Sequence, residues 1–226
     1  MIQDQIALSL ETESIEKTLS IVELIKSGGL AGQLIIGLLT VLLVVALYIY
    51  FERLFTIKSA SKVDPNFMNQ IKDHVSNGKI DAAKVLCVNI NSPVSRLIHK
   101  GISRIGRPLA DINSAIENAG KLEVYSLEKN VSILATISGA APMIGFLGTV
   151  IGMILSIFEI ANSGGQIDIK LLADGLYTAM TTTVAGLVVG IIAYISYNHI
   201  VGRTNKVVYQ MEANSVEFLD LLNEPI

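Results

Sequence analysis

Three long stretches of this 226-residue chain contain no Asp, Glu, Lys or Arg: one between Lys26 and Glu52, one between Lys129 and Glu159, and one between Asp174 and Arg203. A helix crossing a hydrocarbon layer of roughly 30 Å needs about 20 such residues. Three windows of that length do not arise by chance in a soluble domain. The composition agrees, with 51% hydrophobic and only 16% charged residues, which is a membrane composition. The expected fold class is an all-α integral membrane protein with three transmembrane helices, long helices extending into the cytoplasm and a small cytoplasmic helical domain.

Residues 1–28 are acidic on balance and place Ile15, Leu19 and Val22 at helical spacing, as in an amphipathic segment that is periplasmic or lies on the membrane. The chain opens without the basic start of a cleaved signal, so the first apolar run is expected to be retained as a span. That span covers residues 30–51, followed by a cytoplasmic helical domain at 52–128. The second span is placed at 130–160, a periplasmic hairpin around Ser163-Gly164-Gly165 at 161–175, the third span at 176–200 and a cytoplasmic C-terminal helix at 201–226.

Within the polar domain, helix starts are expected at Asp64 before Pro65 and at Ser92 before Pro93, and stops at Gly78 and Gly106. From Pro108 onward, Leu109, Ile112, Ile116, Leu122 and Leu127 keep a helical spacing into the second apolar window, which predicts one long helix. Gly120 is the residue that weakens this continuity. Basic residues near the span ends set the orientation. Seven of them (Arg53, Lys58, Lys62, Lys121, Lys129, Arg203, Lys206) fall on one side against Lys17, Lys26 and Lys170 on the other. The helical domain and C-terminus are therefore expected in the cytoplasm, with the N-terminus and the hairpin outside.

Inside the second span, Ser138, Pro142, Gly145, Thr149, Gly152 and Ser156 recur at alternating steps of four and three and so share one helix face, while Ile144, Leu147, Ile151 and Ile154 occupy the other. In the third span Ala179, Thr182, Thr183, Gly186, Gly190 and Ala193 group on one side, with Leu187, Val188, Ile191 and Ile192 filling much of the rest. Two readings stand side by side. Small residues at four-residue spacing, Gly148/Gly152 and Gly186/Gly190, allow helices to approach closely. Alternatively, the hydroxyls of Thr149, Thr181, Thr182 and Thr183 line a polar path, or a groove that receives another helix. Hydroxyls can relay or coordinate but cannot hold a proton at neutral pH. Proton relays through membranes usually depend on an intramembrane carboxylate or histidine. Here Glu52, Glu159 and Asp174 sit at span edges and His199 near the cytoplasmic end. If protons cross, a partner must bring the acid.

Other chemistry is not indicated. A net charge of −3 without a basic cluster argues against nucleic acid. There is no phosphate-binding glycine loop, metal-spaced His/Cys cluster or Ser/His/Asp arrangement, so no catalytic residue, metal or cofactor is expected. His74, His99 and His199 read as isolated surface or packing residues, and Cys87 as a small apolar one.

The run Ala141-Pro142-Met143-Ile144-Gly145-Phe146-Leu147-Gly148-Thr149-Val150-Ile151-Gly152-Met153-Ile154 resembles the A-P-x-x-G-x-L-G-T-V-x-G-M pattern of the MotA/TolQ/ExbB proton-channel family, in its three-span ExbB and TolQ branch. Glu52-Arg53-Leu54 is similar to that family's Glu-Arg motif, and Ala179 through Leu187, before Tyr197-Asn198, to its A-L-x-x-T-A-x-G-L segment. The resemblance covers almost the whole chain and matches Thr149 and Thr183 to the family's threonines. Two positions depart: Thr178 stands where relatives often carry glutamate, and Ile192 where they carry proline. The missing proline predicts a straighter third helix.

The resemblance implies a homo-oligomer, a pentamer, in the bacterial inner membrane among its lipids. It would enclose helices of an ExbD- or TolR-like single-span partner that supplies an aspartate beside the threonines. Proton flow would then drive a TonB- or TolA-like protein for outer-membrane transport or, in a TolQ-like role, envelope maintenance. The pore-lining residues would be Ser138, Pro142, Gly145, Gly148, Thr149, Gly152, Ser156, Thr181, Thr182, Thr183 and Gly186. Glu52, Arg53 and Glu159 are read either as interfacial anchors or as inter-subunit contacts. A non-conducting scaffold for a partner helix is the competing function.

Overall fold

The computed structural model describes residues 29–62, 64–162 and 169–223. The expected N-terminal amphipathic segment and the centre of the 161–175 hairpin lie outside these residues. The described residues form seven helices and no strand: α1 (Gly29–Ala60), α2 (Phe67–Ser76), α3 (Ile80–Ile90), α4 (Pro93–Ile102), α5 (Leu109–Leu127), α6 (Val131–Asn162) and α7 (Ile169–Asn223). Three stretches are long and apolar enough to cross a membrane, Ala31–Ala60, Val131–Asn162 and Gly175–Asn223. The chain is thus an all-α membrane protein. Its described residues fall into two compact units, one comprising 29–41 with 140–162 and 169–189, the other 42–62, 64–139 and 190–223.

In the first unit the outer surface is strongly apolar. Leu34 is 75% exposed and Met143 73%, and Phe146, Ile154, Phe158, Met180 and Val184 are also exposed, whereas Thr182 is fully buried. An outer surface this apolar suits hydrocarbon as its solvent, and without a hydrophobic drive between helices the interior is held by close packing and hydrogen bonds.

The second unit is organised in the opposite sense. Ile57, Phe67, Ile71, Cys87, Ile98, Ile116, Val207 and Phe218 form a conventional apolar core. Gly101 lets two of these side chains converge: a Cβ there would stand 2.6 Å from Phe218 Cε1 and 2.8 Å from Ile116 Cδ1. Ser92 caps α4 as its sequence predicts. Its hydroxyl accepts from Ser95 N (3.1 Å) and Ser95 Oγ accepts from Ser92 N (2.8 Å), with Pro93 in the first turn. Gly78 and Gly106 hold positive φ, 68° and 94°, at the ends of α2 and of the segment after α4.

Two sequence expectations need correction. Asp64 does not cap α2: its carboxylate accepts from Asn66 N (2.9 Å) in a local turn, and the helix begins only at Phe67. The predicted continuous helix from Pro108 into the second span is broken, and the break is not at Gly120. Gly120 stays inside α5, where a cost of about 1 kcal/mol relative to alanine is outweighed by buried Ile112, Ile116 and Leu127. The chain instead turns at Glu128–Asn130, with Asn130 in the left-handed region at φ 62°, a conformation asparagine tolerates better than most residues.

Candidate functional site

The two small-residue stripes face each other within a single chain. Gly145 and Gly186 bring α6 and α7 almost into backbone contact: a Cβ on Gly186 would lie 2.6 Å from Ala141 O and 2.9 Å from Gly145 Cα, and one on Gly145 would lie 2.8 Å from Thr182 O. Gly148 receives the Thr182 side chain, whose Cβ lies 2.7 Å from where a glycine Cβ would stand, and Gly152 receives Ala179 at 3.2 Å. Farther along, Gly175 leaves room for Ser156, which is buried and donates to its own helix at Gly152 O (2.9 Å). Gly145, Gly148, Gly152, Ser156, Thr182 and Gly186 are therefore all buried in this seam.

Thr149 and Thr183 are half-buried at the seam. Their hydroxyls are hydrogen-bonded to each other across it. Thr149 Oγ1 also lies 3.0 Å from Ala179 O, and Thr183 Oγ1 3.2 Å from Gly145 O. Thr182 Oγ1 reaches Ala179 O at 2.9 Å and Gly145 O at 3.3 Å. A hydroxyl has one proton to donate, so the Thr149–Thr183 pair has two alternative arrangements. In one, Thr149 donates to Thr183 and Thr183 to Gly145 O. In the other, Thr183 donates to Thr149 and Thr149 to Ala179 O. Passing between them reverses the hydrogen-bond chain without leaving an unpaired donor. Such a pair can reorient its hydroxyls but cannot store a proton.

The remaining stripe residues do not join this cluster. Thr181 is half-buried and donates back to Tyr177 O (2.9 Å). Ser138 is half-buried and donates back to Ala135 O (2.7 Å). Pro142 lies in an apolar surface hollow with Met143, Phe146, Leu147 and Val150. Thr178, the departure from glutamate, faces the first span, its Cγ2 2.9 Å from where a Cβ on buried Gly32 would stand. The spacing logic extends to Gly175, four residues before Ala179, which the sequence reading passed over.

In the second unit, Arg53 is only 5% exposed. It forms an ion pair with Glu52 and donates through Nη1 to Ser126 O at 3.1 Å. Ser126 is in the last turn of α5, whose final carbonyls have no intrahelical partner. The guanidinium thus caps α5 just before the Glu128–Asn130 turn, where its charge also opposes the negative end of the helix dipole. The pairing of this Glu-Arg motif runs within the chain. Glu159 is exposed. Nearby core helices are joined by Arg96, which binds Glu123 through two 2.6 Å bonds and Asn91 O at 2.8 Å. The Glu123 bond raises the Arg96 pKa above its usual value. Burial pushes the Cys87 thiol up to about 12.

His199 is not isolated. It joins Tyr50 Oη through Nδ1 at 2.9 Å and Arg203 Nε through Nε2 at 3.0 Å. A sequence in which these residues are far apart, or one helical turn apart without an obvious charge partner, carried no signal of it.

Residues 89–213, more than half of the chain, match the model of the MotA/TolQ/ExbB proton channel family. A putative biopolymer transport protein ExbB homolog of Methanothermobacter thermautotrophicus is 27% identical over 194 residues, 85% of this chain and 67% of the relative. The Tol-Pal system protein TolQ of Haemophilus influenzae is 27% identical over 210 residues, covering 84% of this chain and 87% of the relative. A putative biopolymer transport protein ExbB-like 2 of Helicobacter pylori is 39% identical over 84 residues, 37% of this chain and about half (55%) of the relative. With the apolar outer surface, the glycine seam and its bridging threonines in place, the chain belongs to the MotA/TolQ/ExbB proton channel family.

Proposed function

We propose that this chain is the pore-forming subunit of a proton-driven motor in an inner membrane, with its N-terminus periplasmic and its C-terminus cytoplasmic. It assembles as a homo-oligomer, a pentamer, around a single-span ExbD- or TolR-like partner. The proton motive force energises a TonB- or TolA-type protein that spans the periplasm. The chain itself is a conductor and not an enzyme. The observation carrying this reading is the half-buried Thr149–Thr183 pair, two hydroxyls joined across the seam whose hydrogen bonds can run either way. Because a relay of neutral hydroxyls needs a titratable group beside it, and membrane proton paths depend on carboxylates or histidines, the proton-carrying acid comes from the partner.

The test is proton flux into liposomes holding this chain and its partner under an imposed potential. Flux requiring both proteins is expected. Thr149→Val and Thr183→Val should each abolish it while the complex still assembles, and Thr149→Ser should retain it. Full flux in both valine variants would reject the relay.

The buried seam favours a second reading, a non-conducting scaffold in which Thr182 and the glycines only pack α6 on α7. Absence of flux from the wild-type complex under the same potential would select it.

A further inference from the structure

The contacts of His199 carry an inference that does not depend on the proton-motor reading. Its ring stands between α1 and α7, with the Tyr50 ring centroid 5.8 Å from its own. The groups facing it are Tyr50 from α1 and Arg203 from its own helix. Glu52 and Arg53, the next charged residues along α1, are bound to each other and Arg53 also to Ser126 O, which accounts for their nearest charges without the histidine.

The partners determine the protonation state. Arg203 Nε–H has no lone pair and can only donate, so Nε2 must be an acceptor and the ring neutral. Its one proton is then on Nδ1 and is donated to Tyr50 Oη. Protonating the ring removes the Nε2 lone pair. It turns an N–H toward another N–H and places an imidazolium against a guanidinium, and the contact with Arg203 cannot survive. Arg203 is exposed and free to swing into solvent. We infer that the Tyr50–His199–Arg203 contact is a proton-responsive clasp between α1 and α7, closed by the neutral ring and opened when the ring takes up a proton.

Nitrogen-15 NMR of histidine-labelled full-length protein in lipid nanodiscs tests the first half, with His199→Gln identifying the signal among His74, His99 and His199. When the His199 shifts report a neutral ring, the proton is expected on Nδ1. A ring carrying it on Nε2 would overturn the clasp. The second half is read by spin labels on cysteines placed at exposed Thr56 and Lys206, since buried Cys87, its thiol pushed to about 12, stays unlabelled. As pH is lowered until the His199 shifts report the imidazolium, the label-to-label distance is expected to shift in the wild type and to stay constant in His199→Gln. A wild-type distance that does not move across that titration refutes the inference.

Discussion

Alanine at Gly186 should destabilise the membrane part of the fold, and the size of the effect follows from the seam. The new Cβ would stand 2.6 Å from Ala141 O and 2.9 Å from Gly145 Cα, both backbone atoms that cannot rotate away. Restoring an ordinary carbon–oxygen contact requires the helices to separate by roughly 0.7 Å, and overpacking of this kind costs about 1–3 kcal/mol. The same separation carries the Thr183–Gly145 and Thr182–Gly145 hydrogen bonds, now 3.2 and 3.3 Å, beyond bonding range. Interhelical bonds in membranes contribute on average about 0.6 kcal/mol each. Against this stands a gain of about 1 kcal/mol from replacing a helical glycine by alanine. The net loss expected is about 2 kcal/mol. Gly37, also mid-helix, has nothing within 4 Å of its would-be Cβ, so Gly37→Ala isolates the propensity gain and should be neutral or slightly stabilising. Reversible unfolding in mixed micelles, comparing the two variants with the wild type, measures both. Equal stability of Gly186→Ala and Gly37→Ala would show that the seam is not closed as described.

Three other outcomes are expected. Arg53→Ala leaves Ser126 O uncapped and Glu52 half-buried without its cation, and should cost about 2–3 kcal/mol in the same unfolding assay; Arg53→Lys should recover only part of it, because an ammonium cannot reach both groups in the same geometry. At Asn130, with φ 62°, substitution by glycine should be neutral and by valine should cost about 1–2 kcal/mol. Cys87 should resist alkylation at pH 8 until the protein unfolds. Its native thiol keeps its proton up to about 12, against 9.0 for the unfolded group. The folded state thus binds more protons between those values, so this group's contribution is fully present below pH 9 and is lost as pH rises toward 12, which a pH series of unfolding midpoints checks.

How much of the site was legible depended on the range of the forces involved. The periodicity of Ser138 through Ser156 revealed a shared face, and the glycine spacing allowed close packing. Neither could say that the stripe on α6 finds its counterpart on α7 of the same chain. That choice rests on backbone contact at Gly145 and Gly186.

By itself, the sequence determined the properties that depend on local composition and spacing. The charge-free windows required spanning helices because bare hydrocarbon tolerates few charges. Ser92 with Pro93 set the start of α4 because a cap is made between residues three apart. Other features were decided only by the tertiary structure. Arg53 completes the end of α5 from 73 positions away, the chain turns at Asn130 and not at Gly120 because packing holds Gly120 in a helix, and His199 meets Tyr50 across 149 positions. A hydrogen bond between distant residues exists only once the fold has brought its donor and acceptor together, and no local pattern in the chain encodes that meeting.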